Sequence, residues 1–445
     1  MPRNRMKFRR YSRRNFRAPS RHGEQGVVIM LVAVFMLFVV GAMAALSIDV
    51  VTIYTAKSEA QLVADGAALA GARVFANSGV TSTSNPTLMA SAQIIAQSIA
   101  IQVAQSSPVG GRTLVAANSE ITVGFVTAVP GDPLVTVHVQ RTDLPTFFAR
   151  IWGSTQVTVS ATATAEAYNP SSVGGTSATA SPPVAPMCVK PWLLPNSDPS
   201  SASATPPTIF DPTAGTITNP SLLGWTSPTT TPLIINSLCE SGTCSLPQAS
   251  PPAWNYFPGD PGSFPPPTYT SSICGGATLT PYQLSIAGCV QTPLQCNATV
   301  QIDAASYGGD RNSDAADAVN CLTHTTNGLG DTLTCTSPPT APLQFVGGAD
   351  DPIRGVSGNN MMVSDSLVTV PVFDSTAGAN STVQIVGFVQ LFLNPDGQPT
   401  SDSGATNGQI KATIVNLVGC GSGPRPGATI NGNGDSPVAV RLVTH

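Results

Sequence analysis

The strongest pattern in the sequence is an uninterrupted apolar run near its start. The run spans Val27–Ile48, about 22 residues without a charged side chain. At a rise of about 1.5 Å per residue, a helix of this length extends about 33 Å, and a bilayer hydrocarbon core measures about 30 Å. The run therefore predicts one transmembrane helix at residues 27–48.

Helical sequence continues beyond the apolar run without an early breaker. Asp49 follows the run directly, and small residues then recur at helical spacing. The small residues singled out are Ala60, Ala64, Ala67, Ala68 and Gly71. A face of small residues lets another helix approach closely. The pattern predicts a helix-packing interface, and it leaves open whether the partner is a second protein or the chain's own domain.

Residues 49–168 carry the pattern of a small α+β domain. Asn85 followed by Pro86 is typical of a helix start, and the apolar spacing carries that helix to about Gln105. Residues 147–152 suit a short amphipathic helix. Alternating apolar positions indicate strands, the first two as a hairpin. The predicted strands are Ile121–Val126, Leu134–Val139 and Gln156–Ala165.

The rest of the chain indicates a linker and a second region. Residues 169–187 are rich in Pro, Ser and Gly and predict a linker. Residues 188–445 are loop-rich and predict a β-rich domain. Its clearest strands are Ser366–Phe373, Thr382–Leu393, Lys411–Val418 and Val438–Val443. The fold class expected is α+β: one N-terminal transmembrane helix, a small α+β domain, then a loop-rich β domain with disulfides.

Charge divides the chain into two unlike parts. Only 10% of residues are charged, and the net charge is −4. Residues 1–26 carry about +8 and the remainder about −12. The positive-inside rule places the basic tail in the cytoplasm and everything after Asp49 outside. Such a tail is a topology signal, and no nucleic-acid partner is expected. The alternatives are a cleaved signal peptide, with Ala42–Ala44 as its cleavage site, and a twin-arginine signal at Ser12–Phe16.

All nine cysteines fall in the last region, on the predicted outer side of the membrane. An oxidising compartment favours disulfides, and the pairing cannot be read from sequence. The disulfide candidates are Cys188, Cys239, Cys244, Cys274, Cys289, Cys296, Cys321, Cys335 and Cys420. The odd one is left free, buried, or available for an intermolecular bridge.

Catalytic and metal-binding patterns are sparse. The sequence has no G-x-S-x-G nucleophile elbow and no phosphate-binding loop. A histidine base would have to be His138 or His324. Cys239 and Cys244 with His324 form a weak zinc alternative, and Asp310–Asp314 a weak calcium one. We expect no enzyme, no cofactor and no resident metal.

Three segments near the start carry a family resemblance. They are Gly23–Gly26, the acidic Asp49, and the block Ala60–Ala72, AQLVADGAALAGA. Together they resemble the N-terminal module of TadE/TadG-like proteins of the Tad (Flp) pilus assembly system. The resemblance covers roughly residues 23–75. It extends more weakly to Tyr168, through Pro145–Arg150 and Val157–Ala163.

The resemblance implies a non-enzymatic, membrane-anchored structural component of pilus assembly. It implies a single-pass protein of the bacterial inner membrane with its bulk in the periplasm and Asp49 at the membrane boundary. Its partners would be other Tad/Flp assembly proteins, with a homo- or hetero-oligomer through the N-terminal helix as an option. Processed pilins carry a glutamate five residues after the cleaved glycine, where this chain has Leu31 or Val28. That difference favours a permanently anchored component. An exported hydrolase-class enzyme and a surface adhesin are the alternatives.

Overall fold

The computed structural model confirms an α+β chain. It describes residues 22–129, 131–171, 182–203, 205–227, 233–235, 252–256, 279–302, 311–325, 328–334, 340–351, 355–375, 382–398, 409–422, 427–432 and 436–443.

The α-helices of these residues are α1 (His22–Asn77), α2 (Pro86–Ser106), α3 (Pro281–Ala287) and α4 (Arg311–Leu322). The first strands are β1 (Pro108–Val109), β2 (Arg112–Thr113), β3 (Ile121–Val126), β4 (Leu134–Pro145), β5 (Gln156–Tyr168), β6 (Val184–Ala185), β7 (Trp192–Pro195), β8 (Leu233–Ile235) and β9 (Pro252–Asn255). The later strands are β10 (Thr299–Gln301), β11 (Thr332–Thr334), β12 (Gln344–Val346), β13 (Asn360–Met361), β14 (Leu367–Phe373), β15 (Thr382–Leu393), β16 (Gln409–Ile410), β17 (Ala412–Gly419), β18 (Ile430–Asn431) and β19 (Ala439–Val443).

The first sheet has the order β19-β5-β4-β3, with every pair antiparallel. Helix α1 lies across this sheet, and α2 packs beside α1. The strand predicted near Val438–Val443 forms as β19, and its pairing with β5 ties the end of the chain to the first sheet. Sequence patterning gives a strand but not its partner, so this long-range pairing was not part of the prediction.

The second sheet centres on β15. This strand pairs with β14 along one edge and with β17 and β10 along the other, all antiparallel. Strand β7 joins β14 in parallel and extends the sheet toward β9, β8 and β16. Every residue of β14 and β17 is buried. Such near-continuous apolar burial is expected of strands covered on both faces.

The hydrophobic core is continuous between the two sheets. One cluster holds the inner face of α1, α2 and the first sheet, and it also includes Phe388 and Val418 from the second sheet. A second cluster lies between the second sheet and α3 and α4. The middle of the predicted linker lies outside the described residues. At its two ends Asn169 and Val184 are buried. The domain boundaries stay a prediction.

Candidate functional site

Helix α1 has two unlike halves. Side chains from Gly26 to Ile48 are mostly exposed, with Met30 at 71% and Leu37 at 75%. The most apolar part of this half has a mean hydropathy of 3.0, which is enough to cross a membrane by length and composition. Helix α2 also passes that test at 1.3, but its Ala92 and Ala96 are fully buried against the fold, as in a core helix. The predicted apolar helix at 27–48 is therefore present.

Asp49 stands where the exposed half of α1 ends, and its carboxylate is bound by backbone amides. The amides of Phe147 and Phe148 donate to it at 2.8 and 3.0 Å, and the amide of Ala149 donates at 2.7 Å. The side chain is only 3% exposed. Burial opposes ionisation, but the three amides outweigh it and lower the pKa of Asp49 below its usual value. The acidic residue predicted at the membrane boundary thus fixes a loop about a hundred positions away.

The loop held by Asp49 joins β4 to β5. It contains a single turn of 3₁₀-helix, Ala149–Trp152, ended by Gly153 in the left-handed conformation at φ 92°. Thr146 closes the base of the loop by donating from its hydroxyl to the carbonyl of Ser154 at 2.5 Å. Amides at the start of a helical turn lack partners within it, so the carboxylate of Asp49 serves as its cap. The short helix predicted at 147–152 exists as this turn.

The five small residues predicted to form a packing face all lie in the chain's own core. Ala60, Ala64, Ala67 and Ala68 are at most 1% exposed. A Cβ added at Gly71 would approach Val135 of β4 to 2.9 Å and Ala100 of α2 to 3.5 Å. Of the two partners that the sequence left open, the chain itself takes this face. The alanines of α2 at positions 92, 96, 100 and 104 present the matching surface and are fully buried. Contact with a second protein through this face stays a prediction.

A network of charged side chains braces the same end of the first sheet. Arg112 binds Glu120 through two hydrogen bonds of 2.6 and 3.1 Å and reaches Asp143 at 2.8 Å. The hydrogen bonds from Arg112 have the largest influence on the pKa of the Glu120 carboxyl, and they lower it. Arg141 donates to the carbonyls of Val109 and Gly110.

The loop around Gly110 is also fixed to α1, because the backbone amide of Gly110 donates to the carboxylate of Glu59 at 2.6 Å. The end of the fold nearest the exposed helix is therefore rigidly held at two levels of α1, by Glu59 and by Asp49.

A buried polar network joins the other end of α1 to the second sheet. Asn416 of β17 donates at 2.5 Å both to the carbonyl of Ala76 and to Oε1 of Gln390. Asn169, at the end of β5, donates to the carbonyls of Thr81 and Leu417. Sequence reasoning missed these residues because isolated amides on strands carry no pattern. Only their burial, at 3% or less, marks them.

Two disulfides are defined among the described residues. Cys188 is bonded to Cys289, and Cys296 to Cys420. Cys321 is disulfide-bonded as well. The remaining candidates, Cys239, Cys244, Cys274 and Cys335, lie outside the described residues. The prediction of disulfides in the last region is confirmed for these bridges.

The candidate chemical residues are dispersed. His138 lies on β4 opposite Thr162, and His324 follows α4 with its Nε2 at 3.4 Å from Asp365. Burial opposes the charged form of His324, but Asp365 raises its pKa. Asp310 is outside the described residues, as are the cysteines of the zinc alternative. Within the described part of the chain, no three His, Cys, Asp or Glu side chains are placed to hold a metal.

Comparison with known proteins supports the resemblance over the start of the chain. A family model described as "Putative Flp pilus-assembly TadE/G-like" matches residues 26–74. The matched segment contains the apolar run, Asp49 and the small-residue face, so the resemblance is confirmed there. Neither the curated proteins nor the solved structures give a match to this chain.

Proposed function

We propose that this chain is a membrane-anchored structural component of a Tad/Flp pilus assembly, with no catalytic role. The observation that carries the proposal is the continuity of α1. One helix of 56 residues contains an exposed apolar segment near its start and ends as a core helix of the folded part. A helix of this kind couples a membrane position mechanically to the folded part, as an assembly component requires.

The proposed topology is a single pass through the bacterial inner membrane with the N-terminus in the cytoplasm. The basic residues 3–21 precede the apolar run, and the acidic remainder follows it. Disulfides in the second region fit an oxidising compartment and so favour the periplasm for the bulk of the chain. Other Tad/Flp assembly proteins are the proposed partners, in keeping with the family match at 26–74.

Further interaction surfaces are proposed outside the small-residue face, because α2 and β4 already pack on that face. The exposed half of α1 is the surface left for contacts within the membrane. Leu31, Phe35 and Phe38 are all more than 60% exposed there. Helix association in lipid is driven by van der Waals packing and hydrogen bonds between the helices.

Protease treatment of spheroplasts tests the topology. The full-length chain carries one tag at each end, and protease is added outside. The expected result is loss of the C-terminal tag and survival of a membrane-bound N-terminal fragment that ends beyond Ile48. Spheroplasts opened with detergent serve as the control, in which both tags are lost. A soluble C-terminal product lacking residues before about Ala45 would contradict the anchor.

Pilus production tests the role. Deletion of the chain in its own bacterium is expected to abolish surface pili, and the wild-type chain to restore them. A variant with residues 27–48 replaced by a cleavable signal sequence exports the same folded part without an anchor. Full restoration of pili by that variant would contradict a structural role for the membrane helix.

A further inference from the structure

We propose that the loop between β4 and β5 is a second membrane contact, with Phe147 seated in the headgroup layer of the bilayer beside α1. The inference rests on the proposed membrane anchoring of α1 and adds to it a lipid-binding site on the folded part. It assigns Asp49 the role of a positioning residue that sets the height of this loop.

The first support is the height of the loop along α1. The carboxylate of Asp49 holds the amides of Phe147, Phe148 and Ala149 at 2.7–3.0 Å. Asp49 directly follows the apolar run, so it lies about 1.5 Å along the helix axis from Ile48. The loop is thereby held where α1 leaves the hydrocarbon core.

The second support is that protein already covers α1 inside the apolar run. Ala45, one helical turn before Asp49, is only 8% exposed, although its neighbours Leu46 and Met43 are 57% and 67% exposed. Ala44, another alanine of the same run, is exposed. The fold therefore reaches along one side of the helix to about 6 Å before Asp49.

The third support is the chemistry of the loop. Phe147 of this loop is 60% exposed. On α1, Tyr54 is 71% exposed just beyond the boundary. Arg150 in the loop and Lys57 on α1 are exposed cations. Trp and Tyr concentrate at the membrane interface, Phe of interfacial segments enters the boundary between headgroups and acyl chains, and cations near the surface attract anionic headgroups.

The capped amides fit the same location. Backbone N–H groups that have no partner are costly near hydrocarbon, where water is scarce. Asp49 satisfies three of them at once, so the loop can approach lipid without leaving amides unpaired. A bilayer is the occupant favoured here, because Asp49 holds the exposed Phe147 directly beyond the apolar run of α1.

Tryptophan quenching by brominated lipid tests the proposal on the full-length chain. The chain is reconstituted into vesicles of phosphatidylethanolamine and phosphatidylglycerol that contain phosphatidylcholine brominated close to the headgroup. Trp152 of the same loop is first changed to Phe to remove its emission. Phe147→Trp is then compared with Val126→Trp in that background. Val126 is 53% exposed at the opposite end of the first sheet, where it pairs with Leu134.

The expected result is a quenched component for Phe147→Trp that Val126→Trp lacks. Bromine placed near the ends of the acyl chains should quench it less. Flotation of the same vesicles reports anchoring separately. Equal quenching of the two variants on chains that float would overturn the loop contact and leave the anchor standing. Chains that fail to float would overturn both the anchor and the loop contact.

Discussion

The side-chain amide of Asn416 donates a hydrogen bond of 2.5 Å to the carbonyl oxygen of Ala76, in the last turn of α1. The two residues are 340 positions apart, and Asn416 is fully buried. Through this contact α1 is fastened to the central strands of the second sheet. Force or displacement applied to α1 is therefore transmitted to both sheets, since the first sheet packs along the same helix.

Loss of the Asn416 side chain should weaken the whole fold. Asn416→Ala leaves the carbonyl of Ala76 and the side chain of Gln390 without this donor and opens a small cavity. We expect a loss of about 2–4 kcal/mol in the free energy of unfolding. Urea unfolding of the full-length chain in detergent measures it. The matched control is Asn360→Ala, at an exposed amide bonded to Gln344, for which about 0.5 kcal/mol or less is expected. Equal effects would contradict a coupling role for Asn416.

Two glycines of α1 should respond differently to the same substitution. Alanine favours a helix over glycine by about 1 kcal/mol, and a Cβ at Gly66 has no contact closer than 4.0 Å. Gly66→Ala is expected to gain that amount. A Cβ at Gly71 would lie 2.9 Å from Cγ1 of Val135, so Gly71→Ala should be less stable than Gly66→Ala by about 1–3 kcal/mol. If urea unfolding shows the same gain in stability for Gly66→Ala and Gly71→Ala, α1 does not pack this closely on β4.

Removal of the Asp49 carboxylate should release the loop between β4 and β5. In Asp49→Ala the amides of Phe147, Phe148 and Ala149 lose their acceptor. Charge-assisted hydrogen bonds contribute about 1.5–3 kcal/mol, so we expect amide protection in this loop to fall by about tenfold or more. Hydrogen exchange with mass spectrometry measures the protection. Asp65→Ala, which removes a carboxylate that accepts from Gln61 on the same helix, is the control.

The same loop should depend on pH in a defined direction. Because the folded pKa of Asp49 is below the ordinary value of 3.8, its contribution to stability is complete above that value. It is lost as the pH falls through the folded pKa. Protection of the loop, corrected for intrinsic exchange, is expected to stay constant from pH 7 to about pH 5. A decline within that range would show that Asp49 does not hold the loop as a carboxylate.

Much of the local structure could be predicted from the sequence because its causes are local. Strand β15 has the predicted bounds, Thr382–Leu393, since a long apolar stretch can be buried on both faces. Asn85 caps α2 with Pro86 in the first turn, as the residue pair indicates. The helix at 27–48 follows from length and apolarity alone.

The site could be predicted only in part, because its contacts join distant positions. Asp49 was singled out by its place after the apolar run, but nothing in the sequence indicates that its partners are the amides at 147–149. The small-residue face predicts close packing, but the sequence does not identify the element that packs against it. Gly71 meets Val135 and Ala100 only because β4 and α2 fold back onto α1. The pairing of β19 with β5 depends on a return of the chain over 270 positions, which strand patterns do not encode.

Reduction of the disulfide at the end of β17 should destabilise the second region. Cys296 and Cys420 close a loop of 124 positions and border the shared core. Bridges over loops of this length are expected to contribute about 2–5 kcal/mol, chiefly by restricting the unfolded chain. The double variant Cys296→Ser with Cys420→Ser should unfold at correspondingly lower urea. If reducing agent lowers the stability of the double variant as much as that of the wild type, the bridge contributes nothing.

Asp132, Glu166 and Arg441 form a charged cluster where β19 pairs with β5. This cluster should lower the free energy of unfolding as the pH rises from about 4 to 6. Burial, together with the nearby charge of Glu166, raises the pKa of Asp132 to about 6 from 3.8. Arg441 pairs with Glu166 and stacks on Tyr168 at 5.5 Å, so the cluster also fixes β19 to β5. Between the two pKa values the folded state holds a proton that the unfolded state has released, so stability declines as the pH rises.

The variant Asp132→Asn removes this titration, so its comparison with the wild type measures how much the titration changes the free energy of unfolding. A rise of the pKa from 3.8 to about 6 corresponds to about 3 kcal/mol, and screening of this partly exposed group reduces the expected effect to about 1 kcal/mol. Asp132→Asn should therefore be more stable than the wild type above pH 6 and similar to it near pH 4. Urea unfolding across pH 4–7 measures the difference, with Asp65→Asn as the control for loss of one carboxylate. If Asp132→Asn keeps the wild-type decline, the titrating group lies elsewhere.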